Sequence, residues 1–99
     1  MGTKSLEIHP AALAESKLAI AWYWERSQTA ALKFVAELDR AVEQIVESPQ
    51  RWPADDVGTQ KFVMQRFPFA IVYREKEKVV QVPAIAHGHR WPGYWKDRL

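Results

Sequence analysis

The chain has no cysteine among its 99 residues. Disulfide bonds, thiolate metal ligands and a cysteine nucleophile are therefore all excluded. A protein without disulfides is typical of a reducing cytosol, and we expect a cytoplasmic location.

Long apolar runs are also missing. No run reaches the roughly 18 residues that a membrane-spanning helix needs. The first residues do not show the basic segment followed by an apolar segment that marks a signal peptide. The 47% hydrophobic and 26% charged residues are instead typical of a folded globular protein. This length suits one domain, which we place at 1–99.

Positive charge exceeds negative charge only slightly. The formal net charge is +2, which permits binding to nucleic acid but does not indicate it. The distribution is uneven, because most acidic residues lie between Glu7 and Asp56 while lysine and arginine dominate from Lys61 onward. The C-terminal third is therefore the basic part of the chain.

The start of the sequence predicts a short strand and a helix. Residues 6–8 alternate apolar and polar side chains before Pro10, a residue favoured in the first turn of a helix. The segment from Pro10 to Arg26 is rich in helix-forming residues, but its apolar side chains lie on two overlapping faces. This helix is either buried on more than one side or leaves an apolar patch for a partner protein.

The second helix has the clearest pattern in the sequence. Apolar residues recur with i, i+3, i+4, i+7 spacing between Ala31 and Ile45. Ser27 and Thr29 offer hydroxyl groups as caps, and Pro49 ends the helix because the residue before a proline is disfavoured in the α region. The short link between the two helices implies an antiparallel helical hairpin.

The remaining sequence predicts three strands, at 61–67, 69–74 and 79–86. Short links between consecutive strands are typical of an antiparallel meander. Pro83 cannot donate to a strand ladder, so the last strand is either an edge strand or carries a bulge there. The order β-α-α-β-β-β predicts an α+β fold in which the helical hairpin packs on one face of an antiparallel sheet. The other face is expected to be partly open.

The loop 50–60 carries Trp52, Asp55 and Asp56 between Pro49 and Gly58. Trp52 either anchors the loop to the core or binds a ligand. The two aspartates are either solvated loop residues or candidates for a metal ligand or a general base.

The segment after the last strand concentrates groups that can act on RNA. His87, His89, Arg90 and Tyr94 occur within eight positions, and Trp95 follows. Histidine transfers protons near neutral pH, arginine binds phosphate through paired hydrogen bonds, and an aromatic ring stacks on an unpaired base. The alternative is that the histidines and the arginine form ordinary surface and the aromatic residues close the core.

Metal binding has little support in this segment. The spacing of His87 and His89 fits two ligands of one ion, but the sequence offers no evident third ligand. We therefore expect no metal and no cofactor.

Several segments of the chain resemble a known family. The tail AHGHRWPGYW follows RFPFAIVYR and VVQVPAIA, and further upstream lie HPAA and ESPQRWP. Together they resemble the plasmid-stabilisation branch of the RelE/ParE superfamily, the toxins of type II toxin–antitoxin systems. The resemblance extends from about Ile8 to Arg98.

The resemblance implies a RelE/ParE-like fold and a toxin that is neutralised by a cognate antitoxin. RelE-like members cut mRNA on the ribosome without a metal, whereas ParE-like members inhibit DNA gyrase and are not nucleases. Ribosome-dependent cleavage of mRNA is our expectation from the sequence, and gyrase inhibition is the alternative. The apolar first helix and the sheet edges are the expected docking surfaces for the antitoxin.

The resemblance also assigns roles to residues. Arg90 resembles the tail arginine of RelE-like enzymes, Tyr94 resembles the tyrosine that follows it, and the histidines lie where some relatives have a catalytic histidine. The predicted catalytic residues are His87, His89, Arg90 and Tyr94. The predicted substrate-binding residues are Lys61, Arg66, Arg74 and Trp95.

Overall fold

Two helices and a four-stranded sheet form the fold in a computed structural model that describes residues 5–55 and 57–99. None of the helices in this part of the chain is long and apolar enough to cross a membrane. The predicted order β-α-α-β-β-β is confirmed. The elements are β1 (Ser5–Ile8), α1 (Pro10–Arg26), α2 (Gln28–Glu47), β2 (Gln60–Val63), β3 (Phe69–Lys76) and β4 (Val79–His87), with short 3-10 turns at Pro49–Arg51 and Lys96–Arg98.

Side chains cap the start of both helices. His9 Nδ1 accepts the Ala11 N–H at 3.0 Å, and Pro10 occupies the first turn. Ser27 ends α1 by donating its N–H to the Tyr23 carbonyl at 2.7 Å, and its Oγ accepts the Ala30 N–H of α2 at 3.1 Å. One serine thus serves both helices, and the predicted helical hairpin follows.

The strands lie in the order β1-β4-β3-β2. β2, β3 and β4 form the predicted antiparallel meander, but β1 pairs with β4 in parallel, from Ser5↔Val79 to Ile8↔Val82. The sheet is therefore mixed rather than wholly antiparallel. β1 reaches its partner only after the helical hairpin and two further strands, so nothing in its local sequence determines that pairing.

β4 is a central strand, which makes the edge-strand alternative for Pro83 wrong. The bulge alternative is confirmed, because the register between β3 and β4 shifts between Val72 and Arg74. Tyr73 of β3 faces two residues of β4, Val82 and Pro83. The bulge places a proline in the middle of a sheet at a point where the ladder does not require its N–H.

β2 ends at Val63, four residues before its predicted end. The Met64 N–H donates to the Phe69 carbonyl at 2.9 Å, which closes a tight turn around Pro68. Glu37 of α2 fixes this turn, since its Oε2 accepts the Gln65 N–H at 2.8 Å.

The main core lies between the helices and the sheet. Ala12 of α1 and Ile45 of α2 pack with Ile71, Tyr73 and Val82 of the sheet, all nearly inaccessible to solvent. The Tyr73 hydroxyl donates to the Pro49 carbonyl at 2.6 Å, and burial raises the pKa of this phenol to about 12.

Trp52 is half-buried against the main core. Its ring centroid lies 4.8 Å from that of Phe62. This position agrees with the anchoring alternative for Trp52.

The opposite face of the sheet is not open at its centre. Trp95 is 2% exposed and packs on Val72 and Ala84. The tail therefore covers the centre of this face, while a groove lined by Arg74, Gln81 and Arg98 lies beside it; the face is partly open, as expected.

Candidate functional site at the C-terminal tail

A groove of about 390 Å³ lies between α1 and the end of β4. Ala19, Phe69 and Ile85 contribute apolar surface to its walls, and His87 and Arg90 contribute polar groups. The groove is thus mainly apolar with a few polar groups, a composition typical of binding sites.

Glu15 of α1 holds this region together. Its Oε1 accepts the Ile85 N–H at 3.0 Å, and its Oε2 accepts the Tyr94 hydroxyl at 2.7 Å. The same oxygen lies 3.1 Å from Arg98 Nη1, and both side chains of this ion pair are mostly buried. β1 covers β4 only as far as Val82, so Ile85 lies beyond the paired segment and the carboxylate supplies a partner for its N–H.

Glu15 was not among the residues predicted from the sequence. Its one local signal is an acidic side chain within the apolar run AALAESKLAIAW. Its three partners lie at least 70 residues away in the chain, so spacing alone could not identify them.

Tyr94 is held as a neutral phenol. Burial, followed by the hydrogen bond to Glu15, raises the pKa of Tyr94 to about 12, while Arg90 and Arg98 act in the opposite direction. The Arg90 guanidinium lies 3.9 Å from the centre of the Tyr94 ring. At neutral pH this hydroxyl donates to Glu15 and keeps its proton.

The two histidines and Arg90 lie together at the rim of the groove. The His89 N–H donates to His87 Nδ1 at 3.0 Å, and the two rings are 5.0 Å apart, edge to face. The Arg90 N–H donates to the His87 carbonyl at 3.0 Å, so a tight turn brings these residues close together. His87 is half-buried against Phe69, whereas His89 and Arg90 are exposed.

The structure thus brings the four predicted catalytic residues into one region. His87 and Arg90 line the groove, Arg90 covers Tyr94, and His89 contacts His87 from outside. Their catalytic roles stay a prediction.

The predicted substrate-binding residues are not gathered in the same way. Arg66 lines a separate groove between α2 and β2. Arg74 lies on the other sheet face, where its Nε donates to Gln81 Oε1 at 2.8 Å. Lys61 is an exposed residue of β2, and the Trp95 ring is buried. These residues lie on different surfaces because side chains alternate between the two faces along a strand and because β2 ends at Val63, before Arg66.

Asp55, the first aspartate of the loop pair, accepts hydrogen bonds within its own loop. The Asp55 carboxylate accepts the Val57 and Thr59 N–H groups, both at 3.0 Å, and the Thr59 hydroxyl at 2.6 Å. These hydrogen bonds, that of the hydroxyl above all, lower the pKa of Asp55. Asp56 lies outside the described residues. Within residues 5–55 and 57–99, no group of three or more histidine or acidic side chains is placed to hold a metal ion.

The sequence of the chain matches a known family over most of its length. A family model described as the ParE toxin of type II toxin–antitoxin systems, parDE, matches residues 6–92. The chain belongs to the ParE toxin family. It is thus the toxin component of a type II toxin–antitoxin system, and such a system pairs the toxin with a cognate antitoxin.

Solved structures support the same fold. One similar chain comes from a structure described as the chromosomal ParDE toxin–antitoxin system from P. aeruginosa. The TM-score is 0.74 at 22% identity, over 86% of this chain and 96% of the other. A search of curated proteins found no significant match. The two helices on a four-stranded sheet are therefore the ParE-like fold.

Proposed function

We propose that this toxin arrests growth in the cytoplasm by binding DNA gyrase, without cutting nucleic acid. The proposal rests first on the family, because the resemblance to ParE-like toxins implies gyrase as the target. One structural observation carries it further: the phenol of Tyr94 is committed to the Glu15 carboxylate at 2.7 Å. A side chain that is held in this way stabilises the tail and is poorly placed to transfer protons.

The chemistry of RNA cleavage makes demands that this surface meets only in part. A nuclease needs a base for the 2′-hydroxyl, an acid for the leaving oxygen and cations around the phosphate. The pKa of Tyr94 is about 12, far from the range in which a group exchanges protons at neutral pH. Arg66 and Arg74 lie on other surfaces, and among the predicted site residues Arg90 is the cation that lines the tail groove together with His87.

Ribosome-dependent cleavage of mRNA is the second candidate. The observation that favours it is the turn that holds His87, His89 and Arg90 together at the groove rim. Two imidazoles beside a guanidinium could supply both proton transfer and phosphate binding.

A pair of assays distinguishes the two targets. We expect the purified toxin to inhibit DNA supercoiling by gyrase, and we expect primer extension on translated mRNA to show no new cleavage sites. The double variant His87→Ala/His89→Ala should keep its inhibition of gyrase. Normal supercoiling at saturating toxin, together with mRNA cuts that the double variant no longer makes, would instead establish the nuclease.

We also propose that the antitoxin docks along α1 and the tail groove. Leu18 is 71% exposed and Trp22 is 53% exposed, and both side chains line that groove. Large apolar side chains left in water mark an interaction surface. Their position agrees with the sequence-based alternative of an apolar patch for a partner protein. Leu18→Glu should therefore weaken antitoxin binding, as measured by calorimetry.

A further inference from the structure

The groove between α2 and β2 has a volume of about 440 Å³. Exposed basic side chains from three separate segments surround it. They are Lys33 and Arg40 of α2, Arg51 of the first 3-10 turn and Arg66 of the turn after β2. This α2–β2 groove shares no residue with the tail groove, so it lies outside the surface that we assign to the antitoxin.

The positive charge of the α2–β2 groove is not balanced within the fold. Among the described residues that line it, the one carboxylate is Glu37, which accepts backbone N–H groups of the turn after β2. In the part of the chain that the structure describes, no ion pair joins any of the four cations to a carboxylate, whereas Arg98 pairs with Glu15 at 3.1 Å. The whole chain has a formal net charge of only +2. The groove therefore concentrates an excess of positive charge that the rest of the chain does not have.

The exposure of these cations favours a ligand that carries many charges. A single ion pair between exposed groups contributes little in water, so a small anion would be held weakly. A chain of phosphates contacts several cations at once and releases a counterion at each contact. Lys33 and Arg40 are seven residues apart, about 10 Å along α2, a span that covers about three phosphates of one strand in duplex DNA. The spacing therefore suits a phosphate backbone.

The aromatic residues of the groove favour a duplex over a single strand. Trp52 and Phe62 are half-buried, and their ring centroids lie 4.8 Å apart. The Arg51 guanidinium lies 5.1 Å from the centre of the Trp52 ring. The bases of a single strand stack on open aromatic faces, but these rings are already engaged with their neighbours. Contacts to phosphates position a duplex without reading its sequence, and exposed lysine and arginine supply such contacts.

We infer that the α2–β2 groove binds the phosphate backbone of duplex DNA, without regard to base sequence. The choice of DNA rests on the proposed function, because gyrase acts on duplex DNA. Each of the four cations contacts one phosphate. DNA is thus a second partner of the toxin in its complex with gyrase.

The salt dependence of binding tests this inference. The probe is a fluorescein-labelled DNA duplex about two helical turns long, mixed with the toxin in the absence of gyrase and followed by fluorescence anisotropy. Four phosphate contacts predict a slope of about −3.6 for the logarithm of the association constant against the logarithm of salt concentration. The affinity of the parent chain should then fall roughly 150-fold between about 50 and 200 mM salt. The double variant Lys33→Gln/Arg40→Gln retains two contacts, so its slope should be about −1.8 and its loss roughly 12-fold.

A matched control and a measurement on the parent chain accompany this test. Lys76→Gln/Lys78→Gln removes the same charge from exposed positions at the turn between β3 and β4, and it should keep the slope of the parent chain. In NMR spectra of the parent chain, the amide signals of Arg40 and Arg66 should shift when the duplex is added, while those of Lys76 and Lys78 should not. This second measurement needs no variant to fold.

Several results would overturn the inference. They are absent binding at low salt, an equal change of slope in both double variants, unmoved amide signals of Arg40 and Arg66, tighter binding of single-stranded DNA or duplex RNA than of duplex DNA, and displacement of the duplex by inorganic tripolyphosphate at equal phosphate concentration. A supercoiling assay separates this inference from the proposed function. A toxin that inhibits gyrase but does not bind the duplex refutes this inference alone. A toxin that binds the duplex with the expected slope but leaves supercoiling unchanged refutes gyrase as the target and leaves the DNA site in place.

Discussion

Replacement of Glu15 by alanine should destabilise this protein more than any other single change on the surface of α1. The substitution removes one carboxylate that serves three donors: the Ile85 N–H, the Tyr94 hydroxyl and Arg98. A buried donor left without a partner costs roughly 1–3 kcal/mol. Tyr94 and Arg98 retain some access to water, so we expect a total loss of about 3 kcal/mol rather than the sum of the maxima.

The size of this loss can be measured by urea unfolding and by thermal melting. For a domain of this length, about 3 kcal/mol corresponds to a decrease in Tm of roughly 12–24 °C. Glu15→Gln keeps an amide oxygen for the Ile85 N–H but loses the negative charge, so we expect an intermediate decrease of about 1–2 kcal/mol.

A matched control lies on the same helix. The side chain of Glu25 is 77% exposed, and its Oε2 lies 3.9 Å from Arg26 Nη1, a long distance for an ion pair. Glu25→Ala should change the free energy of unfolding by no more than about 0.5 kcal/mol. If the free energy of unfolding of Glu15→Ala is within about 0.5 kcal/mol of that of the parent chain, the carboxylate does not hold the tail in place. The structural role that we assign to it is then wrong.

Three more perturbations test other parts of the fold. The pKa of Tyr94 rises from 10.0 to about 12 on folding. The contribution of this phenol to stability is therefore complete below pH 10 and is lost as the pH rises through 12. Between these pH values the urea midpoint of Tyr94→Phe should fall less than that of the parent chain. Phe34 is fully buried and contacts the rings of Tyr23, Phe67 and Phe69, so Phe34→Ala should cost about 3–5 kcal/mol of unfolding free energy, while Leu32→Ala at a 63% exposed position should cost far less. Folding lowers the pKa of Asp55 below 3.8, so its contribution is present above that pH and is lost below it; Asp55→Asn should reduce the urea midpoint at pH 7 and leave a smaller difference at pH 3.

The sequence was sufficient where structure depends on near neighbours. The apolar spacing in α2 predicted a helix whose buried residues include Ala31, Phe34, Ala41 and Ile45. Ser27 and Thr29 were the two predicted caps, and Ser27 is the one that serves, because its hydroxyl accepts from a residue only three positions away. The tail histidines and Arg90 were expected together because one turn links them.

The sequence was insufficient where partners are remote. The parallel pairing of β1 with β4 joins Ser5 to Val79, and a four-residue strand carries no pattern that selects a partner so far away. The position of Arg66 was uncertain for a related reason: β2 ends at Val63, so the strand alternation that would have placed Arg66 no longer applies. Trp95 was predicted to bind substrate, with closure of the core as the alternative. Its burial agrees with the alternative, and the sequence could not decide because aromatic residues close small cores as readily as they bind ligands.

The pairing of the first strand with the last one affects when the protein can fold during synthesis. Glu7 contacts Gln81 across 74 positions, and Glu15 contacts Tyr94 across 79. Contacts of such wide separation form slowly, since the intervening chain loses much freedom before they are made. A nascent chain that lacks its final twenty residues or so has no partner for either group. The described fold is therefore completed only after the segment up to Tyr94 has left the ribosome, because Glu7 and Glu15 find their partners in that segment.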